Sequence, residues 1–236
     1  NNFFECPWKW YFRNFLRLPE TKPAYLSLGT AVHATIEYIL KQNKLPEEND
    51  IKERILFYLK NEGVENINDL KTLLKKGNNA VSNWINNYYK NLNKNYKSER
   101  SISFKDKDFP NILMYGKLDL TEYDKEGNII VTDFKTGGSK TKNIIEKINK
   151  EGRLSDLMRQ LTMYTYLLNG DEKNVKVLNS RLLFLEEDLN NKNALYETYI
   201  NKEKIDLLKK DIKDYDVSLS SGNWVSNECH SKPFGG

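Results

Sequence analysis

The hydrophobic pattern of this chain changes near Glu99, and that change limits the folds that it can adopt. Before this point apolar residues recur at helical spacing, most clearly over 28–42. After it, three short segments alternate or are continuously apolar, as strands are: 99–105, 112–124 and 128–137. The pattern therefore predicts a mainly helical N-terminal part, 1–98, followed by a core that contains a sheet.

The N-terminal part contains several further helical segments. Residues 3–18 are predicted to form an amphipathic helix or turn-helix with its aromatic side chains on one face. We expect Thr30 to cap the helix over 28–42. Apolar spacing predicts three more helices, over 50–61, 66–76 and 78–95.

The rest of the chain alternates between strand and helix. Gly127 and Asn128 mark a hairpin turn, and Ser155 is expected to open a helix. The predicted elements are a basic loop and helix over 139–150, a helix over 155–168, a strand over 176–188, its hairpin partner over 194–200 and a helix over 201–215. This order predicts an α/β (α+β mixed) fold, in which a central mixed β-sheet is flanked by helices.

Length and composition favour one soluble domain. A chain of 236 residues fits a single domain over 1–236, with a sheet core at 99–200 and a C-terminal helix and tail at 201–236. No apolar run approaches the roughly 18 residues that span a bilayer, and no signal peptide is recognisable. The net charge of +4 is too small to indicate a nucleic-acid partner by itself.

The small numbers of cysteines and histidines argue against a disulfide framework and against a zinc site of the usual kind. The only cysteines are Cys6 and Cys229, too few for a disulfide framework, so a reducing cytoplasm is the expected location. The only histidines are His33 and His230, and with two cysteines they do not easily assemble a four-ligand zinc site.

Three ionic residues lie inside otherwise apolar strands. Asp119 lies in GKLDL, and Asp133 and Lys135 lie in VTDFKTG, where residues two apart project from the same face. Charges in such a setting are costly unless they have partners. Two converging carboxylates bind Mg²⁺ or Mn²⁺, which activate water for phosphoryl chemistry, and an ammonium group can stabilise the developing charge. The alternative is a surface ion pair without catalytic meaning.

The motif GKLDL…VTDFKTG resembles the core of the PD-(D/E)XK nuclease superfamily, specifically its RecB-like exonuclease branch. Three other segments resemble that branch in order and spacing. They are FFECPWKWYF near the N-terminus, the G-x-x-x-H motif that ends at His33, and the Q-x-x-x-Y motif of Gln160 and Tyr164. The resemblance spans nearly the whole chain.

The resemblance implies a role for each matched residue. His33, Asp119 and Asp133 would hold Mg²⁺ or Mn²⁺, with the Phe134 carbonyl as a further ligand. Lys135 would act on water or the transition state, while Gln160 and Tyr164 would orient the substrate. Glu99, which opens the first strand, is a further candidate acidic residue.

One feature departs from the resemblance. Many relatives carry an iron–sulfur cluster held by one N-terminal and three C-terminal cysteines, and such a cluster needs four thiolates in the usual case. This chain offers Cys6 and Cys229, and Lys232 stands where another cysteine is expected. We therefore expect no cluster; a chain that ends before its last cysteines is the other explanation, but it does not restore the one absent at 232.

These observations predict a metal-dependent deoxyribonuclease, expected to act as an exonuclease on single-stranded DNA or DNA ends. A helicase or another recombination protein is a candidate partner, and DNA repair, recombination, CRISPR adaptation and phage DNA processing are candidate pathways. The first alternative is a DNA-binding accessory module that keeps the fold without activity. The second is a chance likeness in a helical interaction protein.

Overall fold

The fold is described by a computed structural model for residues 2–20, 22–42, 44–171, 175–186 and 193–226. The helices are α1 (Asn2–Glu5), α2 (Pro7–Trp10), α3 (Ala24–Gln42), α4 (Glu48–Asn61), α5 (Ile67–Asn87), α6 (Lys142–Ile145), α7 (Asp156–Asp171) and α8 (Lys202–Ser221). The strands are β1 (Tyr96–Phe104), β2 (Met114–Tyr123), β3 (Ile129–Lys135), β4 (Val177–Phe184) and β5 (Leu195–Thr198). A π-helical turn follows α2 at Tyr11–Phe15, and short 3₁₀ turns occur at Tyr89–Asn91 and Asn223–Ser226.

The strands form one five-stranded mixed sheet in the order β1-β2-β3-β4-β5. β1, β2 and β3 form an antiparallel meander, and Gly127 provides the positive φ (83°) in the turn between β2 and β3. β4 then pairs parallel to β3, which requires a crossover, and α7 lies in that connection. β5 closes the sheet as the antiparallel partner of β4. The predicted mixed sheet flanked by helices is confirmed.

The two faces of the sheet are covered by different helices. On one face, Leu120 and Phe134 pack in a cluster with Val32 of α3 and Trp84 of α5. On the other, Val131 packs in a cluster that includes leucines of α7 and α8. Burying each such side chain contributes roughly 1.5 to 3 kcal/mol, so these two layers hold the strands in place.

The helical part differs from the sequence-based prediction at several points, and its last long helix ends at Asn87 rather than at 95. The helices predicted over 66–76 and 78–95 are one continuous helix, α5. Gly77 separates the two predicted helices, but a Cβ there would lie 3.0 Å from Ile55 of α4, so this glycine permits close helix packing. Thr30 does not cap α3, because the helix begins at Ala24, directly after a proline.

The C-terminal predictions are tested only in part. Ser155 opens α7 as predicted, since its Oγ accepts a hydrogen bond from the Met158 N–H at 3.1 Å. Positions 187–188 of the predicted fourth strand, the tail from 227 onward, Cys229 and Lys232 lie outside the described residues. Within the described part of the chain, none of the helices combines the length and the apolar character needed to cross a membrane.

Candidate active site

The strands β2 and β3 separate at Asp119. Their pairing runs from Tyr123–Ile129 to Leu120–Thr132 and goes no further. Beyond that point the backbone N–H of Phe134 donates to Asp119 Oδ2 at 2.7 Å. The Asp119 side chain therefore takes a hydrogen bond from the neighbouring strand, and its carboxylate is fixed in the fork between the two strands.

His33 of α3 reaches the same fork. Its Nδ1 lies 3.3 Å from Asp119 Oδ1, and its Nε2 lies 3.1 Å from the Phe134 carbonyl oxygen. Gly29, one turn earlier, allows this approach, because a Cβ there would lie 3.2 Å from Thr136 Oγ1 just after β3. Burial opposes protonation of His33, but the hydrogen bond and charge of Asp119 outweigh it, and the pKa of His33 is raised.

A second group of side chains connects β3 with α7. Lys135 Nζ lies 2.8 Å from Asp133 Oδ2 and donates to Gln160 Oε1 at 2.6 Å. The Gln160 amide donates to Asp133 Oδ1 at 2.8 Å, and the Tyr164 hydroxyl donates to the same oxygen at 3.2 Å. Residues two apart on the strand and four apart on the helix thus meet as one network, as their spacing predicts.

Asp133 is the most constrained carboxylate in this network. It is 2% exposed, and burial together with the nearby Asp119 charge raises its pKa to about 6, although Lys135 and His33 act in the opposite direction. Its Oδ2 is buried, and its partner is the Lys135 ammonium group. A buried carboxylate that is held among charged partners can also serve as a ligand of a divalent cation.

Glu99 approaches from β1 through an unusual backbone conformation. Its φ is +51°, in the left-handed region that costs a non-glycine residue roughly 1 to 2 kcal/mol. On the paired strand β2, Leu118 packs on the α7 side of the sheet, whereas Leu120 packs on the α3–α5 side. Side chains two apart normally share a face, so the regular alternation of β2 is interrupted at Asp119, which lies opposite Glu99. Strain at such a point is typical of functional sites.

This conformation places Glu99 beside the other candidate ligands. Ligand atoms of His33, Glu99 and Asp119 all lie within 4.8 Å of one another. Glu99 also forms an ion pair with Lys117. An open groove of about 390 Å³ exposes this group, with Gly29, Thr30, Ala34 and Glu37 of α3 forming one wall.

The donor set fits a hard divalent cation. Carboxylate oxygens and a backbone carbonyl are ligand types that suit Mg²⁺ or Mn²⁺, whereas the single imidazole is a ligand type more usual for transition metals. In addition, the buried Asp133 carboxylate lies close enough to Asp119 and His33 for the charges to interact. The structure therefore brings together the predicted set: His33, Glu99, Asp119, Asp133, Phe134, Lys135, Gln160 and Tyr164.

The sequence pattern does not identify two of the groove's charged side chains. Lys117 and Glu37 both line the groove. A signal for Lys117 was present, because it lies two residues before Asp119 on the same strand. Cys6, by contrast, caps α2, where its Sγ accepts a hydrogen bond from the Lys9 N–H at 3.3 Å.

Known proteins resemble this chain in sequence family and in fold. A family model described as the PD-(D/E)XK nuclease superfamily matches residues 1–231. The fold is similar to a crystal structure from Eubacterium rectale described as a candidate exonuclease, with a TM-score of 0.55 and 11% identity over 98% of this chain and 84% of that one. No curated protein matches the sequence. The family match over nearly the whole chain shows that a chance likeness in a helical interaction protein is the wrong interpretation.

Proposed function

Because the chain belongs to the PD-(D/E)XK nuclease superfamily, we propose that it is a deoxyribonuclease that depends on Mg²⁺ or Mn²⁺. The observation that carries the proposal is the junction of two side-chain groups. Asp119 and His33 both contact the backbone of Phe134. The residues on either side of Phe134, Asp133 and Lys135, are both hydrogen-bonded to the Gln160 side chain. A cation site and an ammonium group thus lie at one strand end.

The ligands of the proposed cation are Asp119, Asp133, His33 and the Phe134 carbonyl, with Glu99 as an additional ligand. When bound, such an ion lowers the pKa of water and stabilises negative charge on phosphate oxygens. His33 presents a neutral nitrogen for this role only after it has lost its proton. Asp119 is held in place by the Phe134 N–H, which leaves Asp119 Oδ1 facing His33.

Lys135 is proposed to act on the phosphate and the attacking water. Gln160 accepts from Lys135 and donates to Asp133, so it fixes the distance between the ammonium group and the carboxylate. A prearranged ammonium group needs no reorganisation when negative charge develops on the phosphate. Tyr164 restrains Gln160 and Asp133 together, which makes it a positioning residue.

The proposed substrate is DNA with a free end or an unpaired strand, cut in exonuclease mode. The open groove beside Asp119 supports entry of a single strand, and the E. rectale protein of similar fold is described as a candidate exonuclease. A helicase or another recombination protein remains the proposed partner, in DNA repair, recombination, CRISPR adaptation or phage DNA processing. A cytoplasmic location and a single nuclease domain over 1–236 belong to the same proposal.

A nuclease assay tests the proposal directly. Purified protein is incubated with end-labelled single-stranded and duplex DNA in Mn²⁺, Mg²⁺ or EDTA, beside Lys135→Ala and the surface control Lys202→Ala. We expect metal-dependent shortening of DNA that Lys135→Ala abolishes and Lys202→Ala keeps. Binding of DNA without any cleavage would favour the alternative, an inactive accessory module that keeps the fold.

A further inference from the structure

Tyr115 is a largely exposed aromatic residue on the strand that carries Asp119. It is 63% exposed, although it lies within β2 rather than in a loop. Its neighbours Met114 and Gly116 face α7, since Met114 is buried in that cluster and a Cβ at Gly116 would meet Leu167 of α7 at 2.7 Å. Tyr115 therefore projects from the opposite, uncovered face of the β1–β2 hairpin.

The ring of Tyr115 is anchored across that face. Its hydroxyl shares a hydrogen bond of 3.0 Å with the Ser101 hydroxyl on β1. Ser101 is not its direct partner, because the register pairs Tyr115 with Ser103 and Ser101 with Lys117. A diagonal contact of this kind spans roughly 7 to 8 Å, so the ring leans along the sheet toward Lys117.

The uncovered face is continuous with the proposed cation groove. Lys117 is exposed, lies two residues from both Tyr115 and Asp119, and lines the groove with His33 and Glu99. Tyr115 lies four residues from Asp119, which is roughly 13 Å along a strand. An aromatic ring fixed on an exposed sheet surface is a form of platform on which unpaired bases stack.

We propose that Tyr115 is a substrate-positioning residue that stacks on a base of an unpaired DNA strand as that strand enters the His33–Glu99–Asp119 groove. This inference rests on the proposed nuclease function and specifies its substrate as single-stranded next to the cut. A base inside a duplex has both faces covered by its neighbours, whereas an unpaired base can lie on the ring. The Ser101 anchor reduces the side-chain freedom that stacking would remove.

The test uses single-stranded oligonucleotides with 2-aminopurine at each position in turn. Fluorescence of the bound oligonucleotide is measured in the Lys135→Ala background with Tyr115 intact or replaced by phenylalanine or alanine. We expect one labelled position to be brighter in the Tyr115→Ala complex than in the complexes that keep an aromatic ring. Tyr199→Ala, at an exposed tyrosine beyond β5 on the far edge of the sheet, is the matched control.

Kinetics on otherwise unaltered protein give a second readout. Tyr115→Ala should raise KM for single-stranded DNA about tenfold with kcat nearly unchanged, in line with the measured cost of losing one base–aromatic stack. Tyr115→Phe keeps the ring but loses the Ser101 hydrogen bond, so it should recover most of the loss in KM. A loss of KM caused by misfolding would show no such recovery. Cleavage with no dependence of KM or fluorescence on Tyr115 would overturn the stacking role alone. A Tyr115-dependent fluorescence change without cleavage by the unaltered protein would instead overturn the nuclease proposal.

Discussion

Asp119 Oδ2 accepts a hydrogen bond from the Phe134 backbone N–H at 2.7 Å, one residue past the last paired position of β2 and β3. The contact ties a candidate metal ligand to the strand that carries Asp133 and Lys135. It also gives a hydrogen-bond partner to the buried Phe134 N–H, which no backbone carbonyl of β2 reaches at this point. One carboxylate therefore serves both the fold and the proposed chemistry.

Asp119→Asn should separate these two roles. The asparagine carbonyl can still accept from the Phe134 N–H, so the melting temperature should stay close to that of the unaltered protein. Removal of the charge should weaken Mn²⁺ binding by at least ~10- to 100-fold, the loss produced by removing even the groups that support metal ligands. Isothermal titration with Mn²⁺ and thermal unfolding measure the two effects, and unchanged Mn²⁺ affinity would contradict the ligand assignment.

Much of the site was predictable because it depends on local periodicity. Asp133 and Lys135 share a strand face, and Gln160 and Tyr164 share a helix face, so each pair could be placed from spacing alone. The meeting of the two pairs needs only that α7 packs on β3, which a crossover connection favours. The mixed sheet with flanking helices was predictable for the same reason.

Other features depend on contacts between distant segments. The positive φ of Glu99 follows from the point where β2 changes facing, and no local residue pattern signals it. Gly77 resembles a helix break in the sequence because its role is packing against Ile55, which lies on another helix. Tyr115 appears in the sequence as an ordinary strand residue, and only the uncovered face makes it notable.

The raised pKa of Asp133 predicts a pH-dependent stability of the metal-free protein. With a native pKa of about 6 against an ordinary value of 3.8, the folded state holds more protons than the unfolded state between about pH 4 and pH 6. Stability should therefore fall as pH rises through that window. Asp133→Asn does not titrate, so at pH 8 it should be more stable than the unaltered protein by on the order of 3 kcal/mol.

Urea unfolding of both metal-free proteins at pH 5 and pH 8 checks this expectation. His33, whose raised pKa gives a loss of the same sign at higher pH, is present in both proteins. Because the Asp133 charge also raises the pKa of His33, the comparison measures Asp133 together with its effect on His33. If the two proteins differ in stability by the same amount at pH 5 and at pH 8, ionisation of the buried Asp133 carboxylate does not destabilise the fold.

Gln160→Ala should lower kcat by roughly 10- to 100-fold, because both Lys135 and Asp133 lose the group that holds them in register. Tyr164→Phe should have a smaller effect, since Gln160 still donates to Asp133. The rates are measured at saturating DNA and Mn²⁺. A larger loss in Tyr164→Phe than in Gln160→Ala would show that the tyrosine hydroxyl, rather than the glutamine amide, holds Asp133 in place.

Asp211 provides a test of stability outside the site. It is buried on α8 and accepts from Arg153 at 2.6 Å and from Arg159 of α7 at 3.0 Å. Asp211→Ala would leave two guanidinium groups without this partner and should cost about 3 to 5 kcal/mol of unfolding free energy. Asp206→Ala, at an exposed position of the same helix, should stay within about 0.5 kcal/mol. Urea unfolding of both variants gives the two free energies. A small loss in Asp211→Ala would show that the ion pairs of Asp211 with the two arginines contribute little to stability.

Glu99 should show opposite effects on stability and on metal binding. Its left-handed backbone is costly for glutamate and acceptable for glycine, so Glu99→Gly should stabilise the metal-free protein by roughly 0.5 to 1 kcal/mol. The same change removes a carboxylate from the His33–Asp119 pair and should weaken Mn²⁺ binding. Glu99→Gln keeps the strain and removes the charge, so it should weaken Mn²⁺ binding without the gain in stability. If Glu99→Gly binds Mn²⁺ as tightly as the unaltered protein, the strained conformation does not serve the metal site.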